Sequence, residues 1–327
     1  MGSDRTRLHS PGVALPLPRP ERAEPDRTGH DPSLRRWTRV RIVDAVALVL
    51  LAFAVVTIPG RLDLGFWSFQ SWSWDAWAYW IVDPVHPYSG VARESGAFLY
   101  GPPIAQVAAW LRVMPWEVYM VSWTALMVGV LYALAPGRSV MLLLLPPVML
   151  EVLFGNIHLL IAAAIVLGFR WPVAWAFVLL TKVTPGVGLA WFVARRDWRS
   201  VALALGATAI AAGASYLVAP WMWSEWIARL SASAAQQPGA IDALFGPLWL
   251  RVLIGAAIAF GAGLVGRRWP VAVACTLALP QLSLISFSVL VAVIPLVALD
   301  RRDPLPAMVR LPGWWPARTA GVERSAG

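Results

Sequence analysis

Ser71-Trp72-Ser73-Trp74-Asp75-Ala76-Trp77-Ala78-Tyr79-Trp80 is a run of aromatic rings around a single acid. Read as helix, at about 100° per residue, it puts Trp74, Trp77 and Ile81 on one face. Asp75 and Tyr79, spaced i and i+4, share the opposite face. Trp rings favour the membrane–water boundary, where they meet both lipid and water. A short helix of this kind is expected to lie in the interface plane with its Trp side to lipid. Asp75 then points into protein. The residues that follow, as far as Pro103, add Asp83, His86, Arg93 and Glu94, so one loop between apolar segments holds much of the polar chemistry.

The rest of the chain is greasy. Of its 327 residues, 58% are hydrophobic and 14% charged, and the mean hydropathy is +0.63. That lies far outside the range of soluble domains and predicts an all-α, polytopic integral membrane protein. The 20 Trp supply the aromatic belts such a protein needs. A net charge of +9 sits in the tails and short loops. It speaks to orientation and to anionic membrane lipid, and gives no support for nucleic acid as a partner. Cys275 is the only cysteine, which rules out intrachain disulfides and cysteine-based metal sites. His9 and His30 fall in the N-terminal tail, leaving His86 and His158 without paired spacing, so neither a metal nor a cofactor is expected.

Arginines set the threading. Arg35, Arg36, Arg39 and Arg41 directly precede the first apolar run, Ile42–Ile58, which by the positive-inside rule runs outward. Residues 59–97 then form a first external loop containing Asp75. Later runs alternate: Phe98–Met114, Glu117–Leu134, Val140–Leu153, Ile157–Phe169, Pro172–Ala194 and Val201–Val218, then a second external loop over 219–246, then Pro247–Val265, Trp269–Pro280 and Leu284–Leu299. The clusters Arg195–Arg199, Arg267-Arg268 and Arg301-Arg302 all land inside, which supports about ten spans with both termini cytoplasmic. The domain plan is a disordered Arg/Pro-rich tail over 1–36, a membrane-embedded domain over 37–300 and a cytoplasmic tail over 301–327. Spans of 13–15 residues around Gly155-Asn156-Ile157-His158 barely cross a ~30 Å core. A bent or re-entrant pair fits them equally, and the side of Asn156 and His158 stays open.

Lys182 is the only lysine, and it falls inside a predicted span, in Leu180-Thr-Lys-Val-Thr-Pro185. Thirteen residues separate it from Arg195, placing it ~20 Å above the cytoplasmic end. Intramembrane cations face cavities or pathways, against the alternative of snorkelling to headgroups. Pro185 leaves the Thr181 carbonyl free, which suits a polar pocket opening outward. In the external loops His86, Arg93 and Glu225, the last among Trp221, Trp223 and Trp226, can contact phosphate, hydroxyls or sugar faces. Gln281, Ser283, Ser286 and Ser288 read as polar glue between helices. On these residues alone, a lipid-linked-sugar or solute transporter competes with an enzyme, although paired halves with intramembrane charges are missing.

Several stretches together resemble glycosyltransferase family 87, the polyprenol-phosphate-mannose-dependent membrane enzymes of GT-C type. They are Asp75-Ala-Trp-Ala-Tyr79 with Pro87-Tyr88-Ser-Gly90 and Phe98-Leu-Tyr-Gly-Pro-Pro103, then Phe154-Gly-Asn-Ile-His158, then Leu180–Pro185 continued to Arg195–Arg199. Gly101 stands between Tyr100 and the proline pair, and Asn156 and His158 stand where the family has Gln and Asn. The resemblance implies a GT-C-like membrane fold with a juxtamembrane helix in the first external loop. It also implies transfer of a hexose, mannose in that family, from a polyprenyl-phosphate donor to a glycolipid or polysaccharide acceptor on the outer face of a bacterial plasma membrane. Asp75 becomes the expected general base of an inverting reaction. Lys182 becomes the expected partner of the donor phosphate, with Arg93 and His86 beside it. Tyr79, Tyr100, Asn156, His158 and Glu225 are further pocket candidates.

Overall fold

The computed structural model describes residues 41–51, 74–90, 96–234, 239–306 and 308. Every described element is helical, and no strand occurs among them. The first predicted span is helical over 41–51; its remainder and both tails lie outside the described residues. Helices are labelled here by range: α1 (41–51), α2 (Trp74–Trp80), α3 (Pro102–Ala108), α4 (Trp116–Leu134), α5 (Ser139–Leu143), α6 (Pro146–Phe154), α7 (His158–Gly168), α8 (Trp175–Thr181), α9 (Ala190–Ala194), α10 (Trp198–Val218), α11 (Pro220–Ala234), α12 (Ala240–Phe245), α13 (Leu248–Leu264), α14 (Pro270–Leu277) and α15 (Val293–Arg302).

Among the described residues, three stretches are long and apolar enough to cross a bilayer as they stand: α4, α10, and the 3₁₀ turn Leu284–Ala292 running into α15. The pair α6–α7 adds one more if its 109° bend is counted within a single span. Where the other spans were expected, the described helices are shorter, and the count long and apolar enough to cross is three or four among the described residues. This is a membrane protein, since α10 leaves Leu203, Leu205, Ile210, Leu217 and Val218 exposed along its length, a surface that only lipid or protein would cover.

The shorter pieces have local causes. Pro146-Pro147 restart the chain as α6 after α5, because proline is tolerated only in a helix's first turn. Gly155 then ends α6 in the left-handed region (φ 67°), and its N–H closes on the Glu151 carbonyl. Asn156 donates to the same carbonyl at 3.1 Å, and α7 sets off in a new direction from His158.

The span expected to be continuous over Pro172–Ala194 is broken. Helix α8 stops at Thr181, Lys182 is extended (φ −141°, ψ 105°), and the chain resumes as a 3₁₀ turn over Thr184–Leu189 before α9. Pro185 accounts for the break, because it lacks an N–H and disfavours helix at the residue before it. Lys182 therefore projects from a helix end, where a cation meets the negative pole of the backbone dipoles.

Candidate active site

Helix α2 is the expected juxtamembrane element, and its burial follows the predicted faces in part. Ala76, Ala78 and Tyr79 are buried, and Trp74 is exposed. Trp77 and Trp80 are only half-buried, because both rings pack on Trp116 at centroid distances of 5.0 and 5.4 Å. The Trp80 indole also donates to the Met114 carbonyl at 2.9 Å. The aromatic face thus anchors α2 to the start of α4 as well as facing outward at Trp74. Asp83, just beyond the helix, accepts the N–H groups of Val85 and His86 at 2.7 and 2.8 Å, an Asx-type turn. Those two bonds hold its carboxyl below the usual carboxylate range.

Asp75 faces the corner between α6 and α7. Its Oδ2 accepts from Asn156 Nδ2 at 2.7 Å. The amide is oriented by its other end, since Asn156 Oδ1 accepts the Ile157 N–H at 2.7 Å, leaving only NH₂ for the carboxylate. Gly155 makes this approach possible: a Cβ there would stand 2.6 Å from the Ala76 methyl, and its φ is one that side-chain-bearing residues seldom adopt. Trp123 Nε1 takes the Gly155 carbonyl at 2.7 Å. Burial pushes Asp75 up to about 6, opposed by the Asn156 bond and then by the Lys182 charge. A carboxyl tuned towards neutrality suits a general base.

Lys182 approaches from α8. Its Nζ lies 2.7 Å from His158 Nε2, and its ammonium stands 5.9 Å from the centre of the Tyr100 ring. The other nitrogen of His158 lies 3.1 Å from Glu151 Oε2. Glu151 also accepts the Leu159 N–H at 3.0 Å and the Ser288 hydroxyl at 3.2 Å. Both Glu151 and His158 are buried. Tyr79 and Tyr100 close the pocket, hydroxyl to hydroxyl at 2.8 Å, and Tyr88 donates to the Tyr100 carbonyl at 2.7 Å. Burial, and then the neighbouring Tyr100, raise the Tyr79 hydroxyl well above its ordinary range, so it acts as a neutral hydrogen-bonding group. Gly101 also fits: a Cβ there would stand 2.8 Å from the Leu180 carbonyl, so glycine lets the start of α3 lie directly against the end of α8.

The structure therefore gathers Asp75, Tyr79, Tyr100, Asn156, His158 and Lys182 into one site. Asn156 and His158, whose side was open in the sequence, share the side of Asp75. Glu151 belongs to this group too, and its spacing of seven from His158 matches no familiar motif. His86 and Glu225 form a separate feature. They pair at 2.7 Å between the first external loop and α11, on a cleft of about 320 Å³ shared with Tyr88, Ser89, Ala228 and Arg229. Arg229 Nε and Nη2 are buried there without a hydrogen-bond partner. The Trp221 indole ties α11 to this loop through the Val85 carbonyl, and the Trp226 indole ties it to the Leu99 carbonyl just before α3. Arg93 lies outside the described residues. No cluster of three or more His, Cys, Asp or Glu that would hold a metal occurs among the described residues.

Residues 98–311 match the family model of glycosyltransferase family 87. The matched segment contains Tyr100, Glu151, Asn156, His158 and Lys182, and begins after Asp75. No curated protein and no solved structure matches the chain.

Proposed function

The chain belongs to glycosyltransferase family 87, a family of membrane glycosyltransferases, and on that premise we propose that it moves a hexose, mannose by resemblance, from a polyprenyl-phosphate donor to an acceptor hydroxyl on the outer face of the membrane. Asp75 takes the proton of that hydroxyl as its oxygen attacks the anomeric carbon. The bond from that carbon to the phosphate oxygen breaks on the opposite side, and polyprenyl phosphate departs with its electron pair. The anomeric configuration inverts. Lys182 stabilises the leaving phosphate, which departs as an anion and needs a cation more than a proton.

The observation that carries this reading is the pairing of opposite charges in one pocket without mutual neutralisation. Asp75 is bonded to Asn156 and Lys182 to His158, so a base and a phosphate-binding cation coexist. The cleft lined by His86, Tyr88, Ser89, Glu225, Ala228 and Arg229 is the candidate path for the acceptor glycan. The topology that places these groups outside rests on the arginine distribution.

The test uses the full chain in membranes, given radiolabelled polyprenyl-phosphate mannose. Label should pass to a glycolipid or polysaccharide fraction. Asp75→Asn should keep protein level and donor binding but lose ~10²–10⁴ in rate. Wild-type turnover by Asp75→Asn would remove Asp75 from the chemistry.

A further inference from the structure

A base and a cation in one pocket attract each other. A direct Asp75–Lys182 ion pair would make the carboxylate a poorer base and turn the ammonium away from phosphate. Among the described residues no such ion pair forms. Instead Lys182 is held from its other side, by His158 and through it by Glu151.

The hydrogen-bond inventory of that arm has one solution. A lysine ammonium only donates, so His158 Nε2, 2.7 Å away, must accept. The ring proton then sits on Nδ1 and points at Glu151 Oε2, 3.1 Å away. Glu151 must accept there, as it already accepts from Leu159 and Ser288. The arm therefore runs from the Lys182 ammonium through the His158 ring to the Glu151 carboxyl, and it holds the lysine without recruiting Asp75.

We propose that Glu151 and His158 are positioning residues that tether Lys182 away from Asp75, keeping the cation and the base of this site apart. This rests on the roles given above to Asp75 and Lys182. The titratable and charged groups around the two are Tyr79 from α2, with Tyr119 from α4 behind it, Tyr100 before α3, Glu151 from α6, His158 from α7 and Lys182 itself. Among them only Lys182 offers Asp75 a fixed opposite charge. When the tether is cut, the lysine is free to turn to Asp75.

The test is the pH profile of kcat/KM with synthetic polyprenyl-phosphate mannose, on the full chain in lipid nanodiscs. In His158→Leu the ammonium falls onto Asp75, and an opposite charge at ion-pair distance lowers a carboxyl by about 1–3 units. The acid limb should move down by at least about one unit, donor KM should rise severalfold, and kcat should fall. His158→Gln is the rescue. Its carbonyl accepts from Lys182 and its NH₂ donates to Glu151, so its limb should stay near that of wild type. Glu151→Leu serves where His158→Leu does not fold. It leaves Nδ1 without an acceptor, so the ring no longer has to present Nε2 to the ammonium, and the limb should again move down. An unmoved limb with unchanged donor KM, in whichever of these variants folds, overturns the tether. Asp75→Asn separates the two failures. Full activity in Asp75→Asn overturns the base and the tether together, whereas loss of activity there with an unmoved limb in Glu151→Leu overturns the tether alone.

Discussion

Asn156→Ala removes the Nδ2–H that Asp75 accepts at 2.7 Å, and the direction of the outcome is fixed by what that bond opposes. Burial lifts the Asp75 carboxyl to about 6, and the Asn156 bond is the larger of the two influences that hold it down. A hydrogen bond to a charged group contributes about 1.5–3 kcal/mol, and one pKa unit is about 1.4 kcal/mol. Losing the bond should therefore raise the carboxyl by roughly one to two units, to about 7–8. The base must be ionised to act, so activity rises with pH through that value. In wild type the acid limb of kcat/KM should lie near 6. In the variant the fraction of ionised carboxyl at pH 7 falls from about nine-tenths to roughly 10–50%, and the curves should approach each other at higher pH. Stability runs the opposite way with pH. A carboxyl raised on folding favours the folded state fully below its unfolded pKa of 3.8, and that contribution is lost as pH rises through about 6. The variant should extend the loss to higher pH. The assay is transfer of radiolabel from polyprenyl-phosphate mannose in nanodiscs, across a pH series. A variant whose limb stays at the wild-type position, with rate lost equally at all pH values, would refute the role of Asn156 in tuning the base.

Lys182→Met should keep the fold and weaken donor use strongly, and Lys182→Arg should recover only part, since a planar fork replaces a compact ammonium; unchanged donor affinity and turnover in Lys182→Met would count against the phosphate role. Gly155→Ala should cost at least about 1 kcal/mol from its left-handed backbone alone, and the methyl would meet Ala76 at 2.6 Å, so α2 should shift and transfer should fall in step with thermal stability. Single cysteines on a Cys275→Ser background should label with an impermeant thiol reagent at position 85 in intact cells and not at position 197, and the reverse pattern would invert the topology.

The fold class was legible in hydropathy, and the juxtamembrane helix in the spacing of Trp74, Asp75, Trp77 and Tyr79. Asp75, Lys182, Asn156 and His158 were also nameable from sequence, because each is polar where its neighbours are apolar. Their mutual distances were not. Asp75 and Asn156 are 81 positions apart, and only the left-handed turn at Gly155 and the missing Cβ beside Ala76 bring them together. The break in the span carrying Lys182 was half-legible. Pro185 marks it, but a proline in a predicted span reads equally as a kink, and the full stop at Thr181 depends on how α8 packs. Glu151 eluded motif reading because its meaning comes from the corner that folds His158 back over the end of its own helix.

Breaks in helices at membrane depth leave backbone carbonyls that lipid cannot satisfy, so they survive only inside protein or along a cavity. Two cations among the described residues, Arg251 and Lys182, sit at such breaks and treat them differently. Arg251 reaches the Gly246, Leu277, Leu279 and Pro280 carbonyls and Asp242. That accounts for all five of its N–H donors, and Asp242 in turn caps the Leu282 N–H. A guanidinium saturated in this way is a clamp and has nothing left for a ligand. Lys182 has three donors and, among the described residues, one hydrogen-bond partner, His158. Two N–H groups remain uncommitted in a pocket that also holds Asp75. The count of committed donors separates the two charges, and it favours the end of α8 over the clamp of α12 and α13 as the place for the phosphate of the proposed reaction.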